Sequence, residues 1–246
     1  MKKYDYQNLK EDEHVYHSWE VLDFKINNNY DYVSSNIFLN FISNILIIPI
    51  ALILYILDKV LFGFKIIGKE NLTKNEGFVS ISNHIHPLDC TMIGLIYFPR
   101  RVYYPTIIRN FQIPFIRHLI RLLFAMPIPT DKNQKLRFFN QINTALKKGK
   151  IVHMYPEGSM WPYYEDVRHF KYGAFKMAVD AGVPIKPVKF IFKEKNGIYK
   201  LYKKNKCIHA VIIEPIYPNL SLPYEERIND LKERTYEKMK ETIWKY

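Results

Sequence analysis

The longest uninterrupted apolar stretch in the chain is IFLNFISNILIIPIALILYIL, residues 37–57. It carries no charged side chain and ends at Asp58 and Lys59. A helix needs roughly 20 such residues to cross a hydrocarbon core. Asn40 and Asn44 are tolerable there if they face protein or lie shallow, and Pro49 can kink a helix in lipid without ending it. The pattern predicts a membrane anchor over residues 36–62. Three forms fit it: a spanning helix, a helix or bent hairpin lying in one leaflet, and a buried helix of a soluble domain. A cleaved signal peptide fits poorly, because the run starts late and lacks a small-residue cleavage signature. Residues 1–35 precede the anchor as a polar extension.

After the anchor the hydrophobic period alternates between that of strands and that of helices. Short β-branched and aromatic runs at 64–70 and 77–82 predict strands. A helix is expected from Asp89, with Leu88, Met92, Ile93, Leu95 and Ile96 on its apolar side. A strand is expected over 102–108. Residues 114–124 read as a very apolar helix carrying Arg117 and Arg121, broken by Pro127 and Pro129. Leu136, Phe139, Ile142 and Leu146 give helical spacing over 133–147, which stops at Gly149. A strand from Ile151 to Tyr155 runs into the turn Pro156-Glu157-Gly158, and a helix over 170–181 closes at Gly182. Strands follow at 184–192 and 208–213, and Ile228, Leu231, Met239 and Ile243 mark a last helix over 222–243. This alternation predicts an α/β domain over 63–246, with a mixed, largely parallel sheet flanked by helices. The lysine-rich stretch 193–206 reads as a solvated hairpin, with contact to lipid headgroups as the alternative.

Charge changes the picture of the partners. The 246 residues are 48% apolar, enough for a folded core, and carry a formal net charge of +12. Residues 1–35 hold four Lys/Arg and seven Asp/Glu, so the remainder carries about +15. Such a surface attracts nucleic acid or anionic membrane. No zinc finger, basic helix or stacking module points to nucleic acid, and the apolar run makes the bilayer and its anionic lipids the expected partner. Lys59, Lys65 and Lys69 follow the run and the acidic stretch precedes it. If the run spans, this bias puts the following domain on the cytoplasmic side of the cell membrane. Cys90 and Cys207 make neither a disulfide framework nor a cysteine-based zinc site, and are expected to be reduced.

Candidate chemistry concentrates in SNHIHPLD, residues 82–89, where a predicted strand ends. His84 and Asp89 lie five residues apart in a loop that enters a helix. Asp89 can fold back onto one ring nitrogen of His84, leaving the other to act as a general base on a hydroxyl. His84, His86 and Asp89 are also conceivable metal ligands, but no further dense cluster completes a site, and no metal is expected. A second signal is YPEGS, residues 155–159. Gly158 permits a tight turn whose backbone N–H groups could hold phosphate or an oxyanion, and Glu157 could bind a hydroxyl or orient a basic partner.

These stretches together resemble the glycerolipid acyltransferase family. Asn83, His84 and Asp89 match its first block, an asparagine, then histidine, four residues and aspartate. Tyr155, Pro156, Glu157 and Gly158 match the third block, with Ser159 in place of threonine, Met160 in place of arginine and Trp161 in place of serine. Val183, Pro184, Ile185, Lys186, Pro187 and Val188 follow the fourth block, and Lys171 and Gly173 fit the Lys-x-Gly before it. The second block has no counterpart: FAMPIPTD, residues 124–131, lacks the family's arginine.

The resemblance implies an acyltransferase domain over 63–246 that moves a fatty acyl group from acyl-CoA or acyl-carrier protein to the hydroxyl of a lysophospholipid, foremost 1-acyl-sn-glycerol 3-phosphate. It assigns His84 as base and Asp89 as its partner, with Glu157, Gly158 and Ser159 near the acceptor and no cofactor. Because two family arginines are missing, Arg109, Arg117, Arg121, Arg168 and Lys171 are the candidates to bind phosphate, with Arg109 and Lys171 preferred. Another lysolipid, a glycolipid or a sugar is the alternative acceptor. Trp161, Tyr163 and Tyr164 could stack on a sugar, line an acyl channel or pack the core, and residues 114–126 could line an acyl groove. A non-enzymatic basic membrane binder and a metallohydrolase are the rivals of other classes.

Overall fold

The computed structural model describes residues 23–34, 36–72 and 75–242, so most of the 1–35 extension, and Ile243, lie outside the described residues. The apolar run forms one continuous helix, α1 (Ile37–Phe62), that passes through Pro49 without becoming a hairpin. Its residues Asn40–Phe62 are long and apolar enough to cross a membrane. The helix is not a buried core element, because Phe38, Phe41, Ile48, Leu52, Ile56 and Leu61 are all exposed. One stripe at helical spacing faces the rest of the protein: Ser43, Ile47, Leu54, Asp58 and Phe62 are buried or half-buried.

Seven strands follow: β1 (Lys65–Ile67), β2 (Phe78–Ser82), β3 (Val102–Ile107), β4 (Ala125–Ile128), β5 (Ile151–Met154), β6 (Ile185–Lys193) and β7 (Cys207–Ile212). They form a single sheet in the order β1-β7-β6-β2-β5-β3-β4, parallel except for the β6–β7 pair. The helices are α2 (Asp89–Tyr97), α3 (Ile116–Leu122), α4 (Lys132–Lys147), α5 (Gly173–Ala181), α6 (Tyr199–Tyr202) and α7 (Tyr224–Glu241). The predicted mixed, largely parallel α/β layers are the observed fold.

Two differences have local causes. The prolines at 127 and 129 end the α3 pattern, as read, but Ala125–Ile128 then pairs with β3 as a strand, with Thr106 opposite Pro127. Proline is tolerated there because β4 is the sheet edge and no further strand needs its missing N–H. The stretch 193–206 does close an antiparallel hairpin between β6 and β7, but its tip folds into the helical turn α6.

Two cores sandwich the sheet. Val79 and Ile81 of β2 pack with Phe138 and Ile142 of α4, Phe175 and Ala178 of α5 and Leu231 of α7. Phe78 of the same strand packs on the opposite face with Met92, Ile93 and Ile96 of α2. Every residue of β2 is therefore buried, the pattern of a central parallel strand covered on both faces. The segment before α1 also joins the first core. Tyr32 is buried edge-on against Phe138, the N–H groups of Tyr32 and Val33 donate to Gln141 Oε1, and Arg121 donates to the carbonyls of Asp31 and Tyr32.

The loop leaving β2 is pinned by Asn83, whose amide exchanges two hydrogen bonds with the Phe190 backbone at 2.8 and 3.0 Å. It acts as one extra rung between β2 and β6. Asn83→Ala strands a buried N–H and C=O, so it should lower the unfolding free energy by about 2–3 kcal/mol in a denaturant titration of the detergent-solubilised protein.

Candidate active site

β2 and β5 run parallel side by side, with Ile81 opposite Met154, so their C-terminal ends open at the same edge of the sheet. His84 follows one strand and Tyr155 the other. Asp89, the first residue of α2, folds back so that its Oδ2 lies 2.7 Å from His84 Nδ1. The same oxygen accepts the backbone N–H groups of Ile85 (3.1 Å) and His86 (3.3 Å). The other oxygen accepts the Tyr155 hydroxyl at 2.6 Å. The Tyr155 ring also stacks on the His84 imidazole, with centroids 3.8 Å apart and planes 14° from parallel.

The Asp89 carboxylate is sealed, its side chain 1% exposed, whereas the His84 side chain is 23% exposed. Burial alone would raise the Asp89 pKa. The His84 ring, with the bonds from His84, Tyr155 and the His86 amide, nevertheless holds it below the ordinary carboxylate value. With Nδ1 committed to Asp89, Nε2 is the ring nitrogen left to exchange a proton with a substrate. His86 turns away: its Nδ1 accepts the Leu88 N–H at 3.1 Å and its ring meets Phe62 of α1 edge-on at 4.7 Å.

The Pro-Glu-Gly turn is built beneath the histidine rather than in front of it. Glu157 is buried, and its carboxylate accepts the His84 backbone N–H (3.2 Å), the Arg168 backbone N–H (3.0 Å) and the Arg168 guanidinium (3.0 Å). Arg168 also donates to the Ser159 hydroxyl at 2.8 Å and to its carbonyl, and lies 4.5 Å over the Trp161 ring. Two hydrogen bonds then tie the loops together, Trp161 N–H to the His84 carbonyl and Tyr163 N–H to the Ile85 carbonyl.

Of the two roles expected of Glu157, its hydrogen bonds are those of a carboxylate that orients a basic partner, and both Glu157 and Ser159 are buried. The Gly158 N–H closes the turn onto the Tyr155 carbonyl at 3.1 Å and does not point at an oxyanion. Arg168 and Arg121 are engaged in holding the fold, and Trp161 packs under Arg168 as core.

What reaches the outer lip is exposed Gly158, with Lys171 laid across it. Gly158 has φ 79, and a Cβ there would come within 2.7 Å of the Lys171 ammonium. The positive φ favours glycine at this turn, and any side chain there would push the Lys171 ammonium aside. Lys171 is fixed from its own backbone, whose N–H donates to the Pro156 carbonyl at 2.8 Å. The structure thus brings His84, Asp89, Glu157, Gly158, Ser159 and Lys171 into one constellation. Arg109 is exposed on the 3-10 turn Ile108–Phe111 after β3, two strand spacings, about 10 Å, from β2.

Sequence reasoning did not assign Tyr155 or His153 a part in the site. His153 is fully buried between Ser80 (2.9 Å) and Ser82 (3.3 Å), edge-on to Tyr155 at 4.7 Å. Burial pushes its pKa down to about 3. The available signal was position alone, since His153 and Tyr155 flank the end of the strand that carries the turn.

A sheet whose central strands deliver a carboxylate-backed histidine beside a Pro-Glu-Gly turn is the arrangement expected of an acyltransferase. The family model described as Acyltransferase matches residues 63–191, more than half of the chain, and the protein belongs to that family. Over 181 residues it is 28% identical to the 1-acyl-sn-glycerol-3-phosphate acyltransferase of Bacillus subtilis, covering 73% of this chain and 87% of that one. The enzyme of the same name from Saccharomyces cerevisiae is 27% identical over 202 residues, covering 77% and 63%. The fold is that of the crystal structure of the 1-acyl-sn-glycerophosphate (LPA) acyltransferase PlsC from Thermotoga maritima, with a TM-score of 0.54, 24% identity and coverage of 74% and 73%.

The buried His153 gives a pH test. Its folded pKa of about 3 lies below the unfolded value near 6.5, so the unfolded chain binds one more proton between them. Stability from this group is complete above about pH 6.5 and falls on acidification by about 1.4 kcal/mol per pH unit. Denaturant titrations at pH 7 and 5 should therefore show a smaller acid loss for His153→Gln than for the wild type.

Proposed function

We propose that the protein acylates the free hydroxyl of 1-acyl-sn-glycerol 3-phosphate, with an acyl thioester, acyl-CoA or acyl-carrier protein, as donor. The observation that carries this reading is the His84–Asp89 pair, 2.7 Å apart, with the second imidazole nitrogen left over for the acceptor. His84 Nε2 takes the hydroxyl proton as the acceptor oxygen attacks the thioester carbonyl. The tetrahedral intermediate collapses with cleavage of the C–S bond, and the departing thiolate receives the proton from the imidazolium. Asp89 fixes the tautomer and stabilises the cation that forms.

Lys171 is the cation best placed for the acceptor phosphate, because it lies on the exposed Gly158 turn while Arg168 behind it is held by Glu157. It supplies the charge that Met160 does not. An ammonium is a point charge rather than a fork, so the headgroup is held with less directional demand than an arginine would impose.

The bilayer is the proposed site of work, with the catalytic domain on the cytoplasmic side of the cell membrane. The docked stripe supports an α1 that lies in one leaflet. Its contacts run from Arg101 on Asn40 and Asn44, through Ser43 on the Leu122 carbonyl (3.0 Å), to the Thr91 hydroxyl on Asp58 (3.1 Å) near the other end. A helix held along its length by a folded domain can be immersed only on its free side.

Thiol release from a long-chain acyl-CoA, with and without the acceptor, tests the assignment. His84→Ala should lose about 10²–10⁴-fold in kcat, and Asp89→Asn should fall in the same range, both with the protein still folded. Acceptor-dependent release that survives in His84→Ala would overturn the role of His84. No release by the wild type with either donor class would overturn the function.

Lys171→Ala is expected to act on binding. The KM for 1-acyl-sn-glycerol 3-phosphate should rise about tenfold, as for loss of one charge-assisted hydrogen bond, with kcat little changed. An unchanged KM would move the phosphate contact elsewhere, with Arg109 next to be replaced.

A further inference from the structure

The β6–β7 connection carries features that solvent exposure does not explain. Ile198 is 67% exposed and Leu201 85% exposed, on a turn where polar residues would serve. Lys193, Lys195, Lys200, Lys203, Lys204 and Lys206 flank them in the sequence, with Glu194 the one acidic residue of the stretch 193–206.

This segment is clamped to the end of α1. The Tyr202 hydroxyl donates to the Val60 carbonyl at 2.7 Å, and the Lys203 ammonium donates to the Leu61 carbonyl. Lys195 donates to the Lys203 carbonyl at 3.1 Å and ties the other leg of the loop to the same place. The next residue of α1, Phe62, touches His86. The tip α6 and the catalytic loop therefore flank the same helix end. Beside them Leu57, Val60 and Leu61 are also exposed, so the apolar surface of α1 continues toward Ile198 and Leu201.

We propose that α6 is a second membrane contact, in which Ile198 and Leu201 enter the acyl region of an anionic leaflet while Lys200 and Lys204 meet its headgroup phosphates. The apolar side chains gain by leaving water, and a lysine-rich segment favours a negatively charged surface over a neutral one. Because α6 is fixed to the last turn of α1, it reaches the interface whether α1 crosses the bilayer or lies in it. The contact seats the mouth of the active site on the lipid surface. That consequence rests on the acyltransferase reading, but the contact itself does not.

The test uses the full chain reconstituted into vesicles. Leu201→Trp places a reporter at the tip, and brominated phosphatidylglycerol quenches indole only within the acyl region. Quenching of Leu201→Trp well beyond that of the three native tryptophans, weaker in neutral phosphatidylcholine vesicles and at high salt, is expected. In parallel, Ile198→Asn/Leu201→Asn should lose about tenfold in acyl transfer on phosphatidylglycerol vesicles yet match the wild type in detergent micelles, a difference equivalent to 1.4 kcal/mol.

Quenching equal to the native background would overturn the proposal. So would equal loss of activity in micelles, which marks damage to the fold. Emission that responds to protein concentration but not to bromine would also overturn it, in favour of a second copy of the chain at α6. A wild type inactive in both media while position 201 is still quenched would sink the acyltransferase reading and leave the membrane contact standing.

Discussion

The Asp89 carboxylate organises the active end of the sheet. It is fully buried and accepts from His84, Tyr155 and the backbone of Ile85 and His86. A buried charge left unpaired would be severely destabilising, so the loop from Asn83 to Asp89 has little freedom but to wrap around it. The helix α2 begins at that residue and the adjacent strand contributes Tyr155, so the carboxylate couples three elements. The histidine is thereby delivered with one nitrogen used and one exposed, before any substrate arrives. Such preorganisation avoids rearrangement at the moment of proton transfer.

A second buried charge pair supports the first. Glu157 and Arg168 neutralise each other below His84, and the Glu157 carboxylate also holds the His84 N–H. Replacing one partner of such a pair leaves the other charged and dry, so each holds the other in place. The family's usual arginine position is Met160 here, and Arg168 bonds both the side chain and the carbonyl of Ser159, the neighbouring residue. In the proposed reaction the anionic headgroup falls to the exposed lip, where Gly158 lets Lys171 lie close to the turn.

Periodicity and punctuation were enough to read the α/β layers, because each parallel strand is a short β-branched run and each helix has an apolar stripe. They failed at Ala125–Ile128, where a proline-containing strand survives at the edge because its neighbour makes no demand on the missing N–H. Loop chemistry was legible at His84 and Asp89, whose spacing alone allows the carboxylate to return to the ring. It was illegible at Glu157 and Arg168, eleven residues apart, because their union depends on how the segment between them folds back. Whether a charged residue faces solvent or a buried partner is a tertiary property, and nothing in the sequence marked Arg121 and Arg168 as engaged within the fold rather than as exposed charges.

The placement of α1 links this local chemistry to lipid. Thr91, two residues after Asp89, donates to Asp58, and His86, two residues after His84, packs on Phe62. The catalytic loop is thus bonded on one side to Asp89 and Glu157 and on the other to the last turns of an apolar helix. The proposed acceptor, with its single acyl chain, cannot leave the bilayer cheaply, since each buried CH₂ is worth about 0.8 kcal/mol. An enzyme that held its base on a loop remote from the membrane helix would have to extract the whole lipid to reach the hydroxyl. In the proposed reaction, fixing the loop to the helix end requires only the headgroup and glycerol to rise to His84 while the chain stays in lipid. The same bonding means that a displacement of α1 along the domain would be felt at Asp89 through Thr91 and the first turn of α2. The geometry of the His84–Asp89 loop and the placement of α1 are therefore one mechanical unit in this fold.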